Sequence, residues 1–167
     1  MTTRNDYTDA EWELLTNLPR MAAFGAMAAE EGGPLTSTRE LWASMMELAQ
    51  AGRTRYPDNS LIQEIMQSFS QPDDDDQMSI LGWSPNSGEP LGATIVEETL
   101  ETARRVREVL VSQATPEEAA EYIAWVLGIA RAGCGAVRSG LFGIIGEPMT
   151  GAEDQFMKDL AAALGAA

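Results

Sequence analysis

The 167-residue sequence contains no histidine, one cysteine at Cys134 and one lysine at Lys158. Without histidine, Ser-His-Asp and Cys-His catalytic pairs and histidine-ligated zinc, haem and iron sites are excluded. A single cysteine cannot form an internal disulfide. The lysine does not belong to a P-loop, and the run GCGAVRSG lacks the third glycine of a dinucleotide-binding fingerprint. These absences favour a non-enzymatic protein. Carboxylates, tyrosines and arginines would suffice for some acid–base chemistry, so the question of an enzyme stays open.

Long apolar runs and a secretory leader pattern are also missing. The longest apolar stretches are interrupted by glycine, arginine or glutamate before the roughly 18 residues that a membrane-spanning helix needs. No charged region followed by an apolar region opens the chain. We therefore expect no transmembrane segment and a cytoplasmic location.

Positive charge is scarce, because 26 acidic residues face 11 basic ones and give a formal net charge of −15. Such a field repels the phosphates of nucleic acids and of anionic membranes, so neither is an expected partner. A basic protein surface, a cation or solubility alone would fit this charge better.

The residues that are present predict an all-α protein. With 44% hydrophobic residues, the chain can bury a core as one domain over residues 1–167. No window alternates apolar and polar residues, so we expect an irregular bundle of about six helices. A Thr-x-x-Glu capping box predicts a helix start after Thr8, Thr115 and Thr150. Pro19 is expected to break or kink the first helix.

The predicted helices cover about 9–18, 20–31, 36–50, 60–69, 94–113, 116–133 and 151–164. The helix after Thr115 is apolar almost all round, so we expect it to be the central buried helix. Asn59 or Ser60 is the expected N-cap of the helix predicted at 60–69. Residues 70–92 are rich in proline, glycine and aspartate and predict a long loop.

The predicted loop contains two candidate functional features. Its acidic run, Asp73, Asp74, Asp75 and Asp76, could bind Ca²⁺ or Mg²⁺ weakly, although it lacks the glycine and the terminal glutamate of an EF-hand. A solvated acidic loop without a cation is the alternative. Trp83 is the one tryptophan in the loop, and it either packs back on the bundle or contacts a partner.

Three further groups have a structural and a functional interpretation. Six glutamates on two helices could form a dimetal site, but their place in or near first turns is explained by helix capping (Glu97, Glu98, Glu101, Glu117, Glu118 and Glu121). Cys134 could be reactive between two arginines, or its small neighbours could mark a close helix crossing. The remaining tryptophans and the methionines fit a core better than a ligand pocket.

The stretch SGLFGIIGEPMTGAE resembles a fusion peptide in its glycine spacing. Its apolar run is short, lacks lysine and arginine, and belongs to an acidic protein, so membrane contact is not expected. We interpret it as a glycine-jointed connection. Its large apolar side chains would then either pack into the core between the last two helices or form an interface with a partner. These residues are Leu141, Phe142, Ile144 and Ile145.

The segments GGPLTSTRELWASMMELA and GEPMTGAEDQFMKDLAAA can be aligned as an internal helix–turn–helix repeat, with Pro34 over Pro148. The plan of apolar helix, glycine turn, apolar residue, threonine and glutamate resembles TerB-like domains of bacterial tellurite-resistance systems. The turn aspartate of that family is missing, and Arg39 replaces the glutamate in the first copy. A vaguer likeness is to small bacterial helical proteins of no assigned activity. The TerB resemblance implies divalent cations and stress complexes.

The sequence thus predicts a non-enzymatic acidic helical protein that acts through protein–protein interaction, as an oligomer or as a subunit of a bacterial assembly. One alternative is a TerB-like stress protein that binds a divalent cation. Another is an acidic mimic of nucleic acid that occupies a basic groove. No bound cofactor is expected apart from weakly held Ca²⁺ or Mg²⁺.

Overall fold

The computed structural model describes residues 2–29, 52–69, 91–134 and 149–166. These residues form a short 3-10 turn at Arg4–Asp6 and five α-helices, with no strand among them. The helices are α1 (Asp9–Ala28), α2 (Ser60–Ser68), α3 (Leu91–Gln113), α4 (Pro116–Gly133) and α5 (Gly151–Leu164). The all-α prediction is confirmed. The predicted helix at 36–50, most of the predicted loop and residues 139–148 lie outside the described residues.

The helix starts follow local capping chemistry. At Thr8, Thr115 and Thr150, the threonine hydroxyl accepts from the backbone N–H of the glutamate three residues later, and the glutamate carboxylate accepts from the threonine N–H. The Asn59 side chain accepts from Ile62 N–H over 3.0 Å at the start of α2. These predicted starts are confirmed. Helix α3 begins at Leu91, three residues earlier than predicted.

Helix α1 lies at the centre of the described bundle, and α2, α3, α4 and α5 all pack on it. The second half of α1 is rich in small buried residues, which let the other helices approach closely. A Cβ on Gly25 would lie 2.8 Å from the Phe156 ring of α5, and one on Gly133 of α4 would lie 2.9 Å from the Ala23 carbonyl oxygen. Close packing of this kind explains why these positions carry no side chain.

The prediction that α4 is the central buried helix is wrong. Its buried face carries Tyr122, Trp125, Val126 and Ile129, whereas Ala124 and Gly128 on the other side are exposed. Alanine and glycine made the helix look apolar on all sides, but such small residues gain little from burial and are tolerated at the surface.

Pro19 is predicted from the sequence to break or kink the first helix. It does not break the helix into two segments, because α1 continues through Pro19 from Asp9 to Ala28. Proline has no N–H to donate to the carbonyl oxygen of Leu15, four residues earlier. The hydroxyl of Tyr122 donates to that oxygen instead, over 2.8 Å and in a fully buried position. A side chain of α4 therefore replaces the hydrogen bond that the proline removes from α1.

The directions of the helices define two ends of the bundle. Helix α4 runs parallel to α1, since Tyr122 lies beside Leu15 and Gly133 beside Ala23. Helix α3 runs antiparallel to α1, since Thr99 contacts Gly25 and the Gln113 amide donates to Glu11 over 2.7 Å. Helix α5 also runs antiparallel to α1, because Phe156 in its first half packs on Gly25, while Gly165, directly after its end, lies beside Arg107 in the second half of α3.

We call the end that contains residues 2–8 and the starts of α1, α2 and α4 the polar end. We call the other end, where α1 and α4 finish and α3 and α5 begin, the distal end. The five helices share one hydrophobic core between these ends.

Candidate functional site

A buried carboxylate organises the polar end. Glu118, the third residue of α4, is only 5% exposed. Its Oε1 accepts from the backbone N–H of Thr2 over 2.7 Å and lies 3.0 Å from the Ser60 hydroxyl. Its Oε2 accepts from the Thr115 N–H over 3.3 Å as part of the capping box. One side chain therefore connects the segment 2–7, the start of α2 and the start of α4.

The hydrogen bonds to Glu118 decide its ionisation state. Burial is the largest single influence and by itself would raise the pKa of this carboxyl group. The bonds from Thr2, Ser60 and Thr115 act together in the opposite direction, and the net result is a pKa below the usual glutamate value. The carboxylate is thus charged at neutral pH, and hydrogen-bond donors replace the water that it has lost.

Other polar contacts extend the attachment of segment 2–7. The backbone N–H of Arg4 donates to Glu64 of α2 over 2.5 Å, and the carbonyl oxygen of Thr2 lies 2.7 Å from the Ser60 hydroxyl. The Tyr7 ring is buried in the core, and its hydroxyl donates to Thr2 Oγ1 over 3.0 Å. Burial raises the pKa of this phenol, partly offset by the Thr2 bond. The segment is held by both polar and apolar contacts.

Asn59 links α2 to α4 at the same end. Its side-chain oxygen caps α2, while its amide nitrogen lies 2.9 Å from Glu121 Oε2 and 3.2 Å from the Glu118 carbonyl oxygen. The residue is 2% exposed. Capping chemistry alone would not require Asn59 to be buried, and its contacts with α4 explain why it is.

Sequence patterns identified only part of this cluster. The capping boxes pointed to Thr115 and Glu118, and the start of α2 pointed to Asn59 or Ser60. Thr2 and Tyr7 carry no local signature, because their contacts reach residues more than 50 positions away in α2 and α4. Only the fold brings these groups together.

The residues that the sequence singled out for interaction or metal binding all lie outside the described residues. They are Asp73, Asp74, Asp75, Asp76, Trp83, Leu141, Phe142, Ile144 and Ile145. The segments that contain them begin or end at described helices, however. Segment 135–148 joins the end of α4 to the start of α5, and segment 70–90 leads into the start of α3. Both therefore connect to the distal end.

The other candidate groups can be placed. Of the six glutamates, Glu97, Glu98, Glu101 and Glu117 are exposed and Glu121 contacts Asn59, whereas Glu118 is buried in the polar cluster. Across 2–29, 52–69, 91–134 and 149–166, no three acidic or cysteine side chains are arranged to hold a metal ion. Cys134 is half-buried at the C-cap of α4.

The described fold and cluster define an all-α bundle with one end closed by a buried polar network. No helix within the described parts of the chain is both long and apolar enough to cross a membrane. Comparison of the chain with protein-family models, with curated proteins and with solved structures gave no match.

Proposed function

We propose that this protein is a non-enzymatic acidic helical protein that acts by binding other protein chains, as an oligomer or as a subunit of an assembly. The interaction would use the distal end of the bundle. The observation that carries the proposal is the arrangement of the helices, in which α1 and α4 end, and α3 and α5 begin, at that one end.

The arrangement matters because the candidate interaction residues belong to chain segments that start or finish there. Trp83 lies in segment 70–90, and Leu141, Phe142, Ile144 and Ile145 lie in segment 135–148. The polar end, by contrast, is closed by contacts among its own residues, in which carboxylates and hydroxyls already have protein partners. The distal end is therefore the better place to look for a partner.

Charge indicates what kind of surface the partner would offer. The described residues hold 16 acidic and 9 basic side chains, whereas segments 30–51, 70–90 and 135–148 hold 10 acidic and 2 basic ones. More than half of the excess negative charge therefore belongs to just over a third of the chain. A partner with a basic rim around an apolar contact would complement these segments.

Size-exclusion chromatography with light scattering tests self-association directly. We expect the wild type to run at a multiple of 18.0 kDa. Trp83→Ser and the double variant Phe142→Ser/Ile145→Ser should lower that mass. Val111→Ser is the matched control, because Val111 is 80% exposed and lies near the end of α3, beside the polar end.

An 18 kDa particle for the wild type would refute self-association. The proposal would then depend on cross-linking in the native cell, where the wild type and Val111→Ser should capture the same protein and Trp83→Ser should lose it. Equal capture by the wild type, Val111→Ser and Trp83→Ser, or capture by none of them, would refute protein binding through these segments.

The two alternatives from the sequence remain predictions. Cation binding at Asp73–Asp76 predicts a heat signal when the protein is titrated with millimolar Ca²⁺ or Mg²⁺ in a calorimeter, and no heat would exclude it. A nucleic-acid mimic predicts that the partner can be displaced by DNA or RNA, and failure of both to compete would exclude it.

A further inference from the structure

We infer that Glu118 is an acid-operated latch: its carboxylate holds segment 2–7 on the starts of α2 and α4, and its protonation raises the fraction of molecules in which this segment is detached while the helices stay packed. The inference concerns the polar end and does not depend on the proposed interaction at the distal end.

Backbone N–H groups donate to both carboxylate oxygens of Glu118. The N–H of Thr2 donates to Oε1 of Glu118, and the N–H of Thr115 donates to Oε2. The Ser60 hydroxyl also lies within hydrogen-bond distance of Oε1. A proton added to Oε2 would point toward the Thr115 N–H, which cannot accept it. A proton added to Oε1 can be accepted by the Ser60 hydroxyl, but the neutral group loses the charge that strengthens the bond from the Thr2 N–H.

The hydrogen bonds inside segment 2–7 are distinct from the bonds that attach it to the helices. Within the segment, Asp6 N–H donates to Thr3 O and Tyr7 N–H donates to Arg4 O, so its turn does not require the helices. Its polar bonds to the bundle involve Glu118 of α4, Ser60 and Glu64 of α2, and Asp9 of α1. The Arg4 guanidinium also lies over the Trp12 ring of α1. Detachment would cost these bonds and the burial of the Tyr7 ring, but none of the bonds that cap α1 or α4.

The other charged and titratable groups near the latch have distinguishable roles. Asp6 and Tyr7 of the segment interact electrostatically with Glu118, and the pKa of Asp6 is lowered mainly by Thr3, a bond that would survive detachment. Glu11 of α1 is tied to Thr8 in the same local way. Arg4 contacts Asp9 through its side chain, and Glu121 contacts Asn59. Glu64 of α2, like Glu118, accepts a hydrogen bond from a backbone N–H of the segment, that of Arg4.

The sign of the pH effect follows from the bonds. The pKa of Glu118 is lowered when the segment is attached, and it would rise toward the ordinary glutamate value in the detached state, because the bonds from Thr2 and Ser60 would be lost. The latch is therefore closed above that value. As the pH falls between the two pKa values, the opening constant should rise up to tenfold per pH unit, and it should level off below the lower one.

Amide hydrogen exchange followed by NMR tests the latch, together with a ¹³C titration of the Glu118 carboxyl group. In the wild type, protection of the Thr2 and Arg4 amides should fall as the pH drops below the ordinary pKa of a glutamate, while the amides of Leu18 and Val126 in the core keep their protection. Glu118→Gln keeps the size and the capping ability of the side chain. It should show weaker protection at neutral pH and a flat acid profile.

Glu117→Gln is the matched control, since this neighbour is exposed and makes no bond to the segment. It should reproduce the wild-type profile. Loss of Leu18 and Val126 protection in parallel with Thr2 would overturn the inference, because the segment would then open only with the whole fold. An acid profile that Glu118→Gln leaves unchanged, but Glu64→Gln abolishes, would overturn it as well.

Discussion

Replacing Tyr122 by phenylalanine tests how α1 tolerates a proline in its interior. The substitution keeps the buried ring and removes only the hydroxyl group that donates to Leu15 O. Because residue 19 has no N–H, the Leu15 carbonyl group would remain buried with no donor in its place. An unsatisfied buried polar group costs about 1–3 kcal/mol, so we expect a loss near 2 kcal/mol in the free energy of unfolding.

Urea unfolding followed by circular dichroism measures this loss. With a denaturant slope of about 2 kcal/mol/M, the midpoint should fall by about 1 M. The same loss corresponds to a melting temperature lower by about 4–8 °C for a chain of this size. An unchanged slope would show that the variant unfolds from the same native state.

A double-mutant cycle with Pro19→Ala separates this hydrogen bond from other effects of the hydroxyl group. Alanine restores an N–H at position 19, which can donate to Leu15 O in the continuous helix. Tyr122→Phe should then cost about 1 kcal/mol less in the Pro19→Ala variant than in the wild type. Equal costs in both backgrounds, within about 0.5 kcal/mol, would refute the idea that Tyr122 substitutes for the missing donor.

Two other predictions follow from the same bundle. Gly133→Ala should lower the free energy of unfolding by about 1–2 kcal/mol, because its Cβ would lie 2.9 Å from the Ala23 carbonyl oxygen. The Cβ of Gly128→Ala would point into open space, so this variant should raise the free energy of unfolding by up to about 1 kcal/mol. Thermal melts of the two variants check this, and equal shifts in melting temperature would contradict the close crossing. Burial raises the pKa of Tyr122 well above its usual value, so the unfolded chain releases this proton at a lower pH than the folded chain. The free energy of unfolding should therefore fall as the pH rises above about 10. In urea titrations at pH 9 and 11, Tyr122→Phe should lose less of this free energy than the wild type, and an identical loss would contradict the prediction.

The parts of the fold that depend on neighbouring residues could be predicted from the sequence. The capping boxes at Thr8, Thr115 and Thr150 and the cap at Asn59 need only residues within three positions, and all four were found. The helix predicted at 60–69 is also confirmed as α2, and its buried apolar residues follow the spacing of a single helical face.

The errors and omissions involve contacts between distant residues. Pro19 breaks a helix according to local rules, and the compensating donor lies 107 positions beyond the Leu15 carbonyl group that it serves. Glu118 was recognised as a cap, but not as the partner of Thr2, 116 positions away. Composition also misplaced the central helix, because the alanine and glycine of α4 do not indicate which of its faces is covered.

The continuity of α1 depends on α4, because the Tyr122 hydroxyl of α4 supplies the hydrogen bond that Pro19 removes from α1. A peptide with the sequence of α1 alone would have no donor for Leu15 O except water, and we expect it to form two short helical pieces that meet loosely at the proline. We therefore expect α1 to form one continuous helix only when α4 has docked beside it. We also expect the helicity of α1 around Pro19 to depend on tertiary assembly, since the donor that completes it lies 107 positions after Leu15.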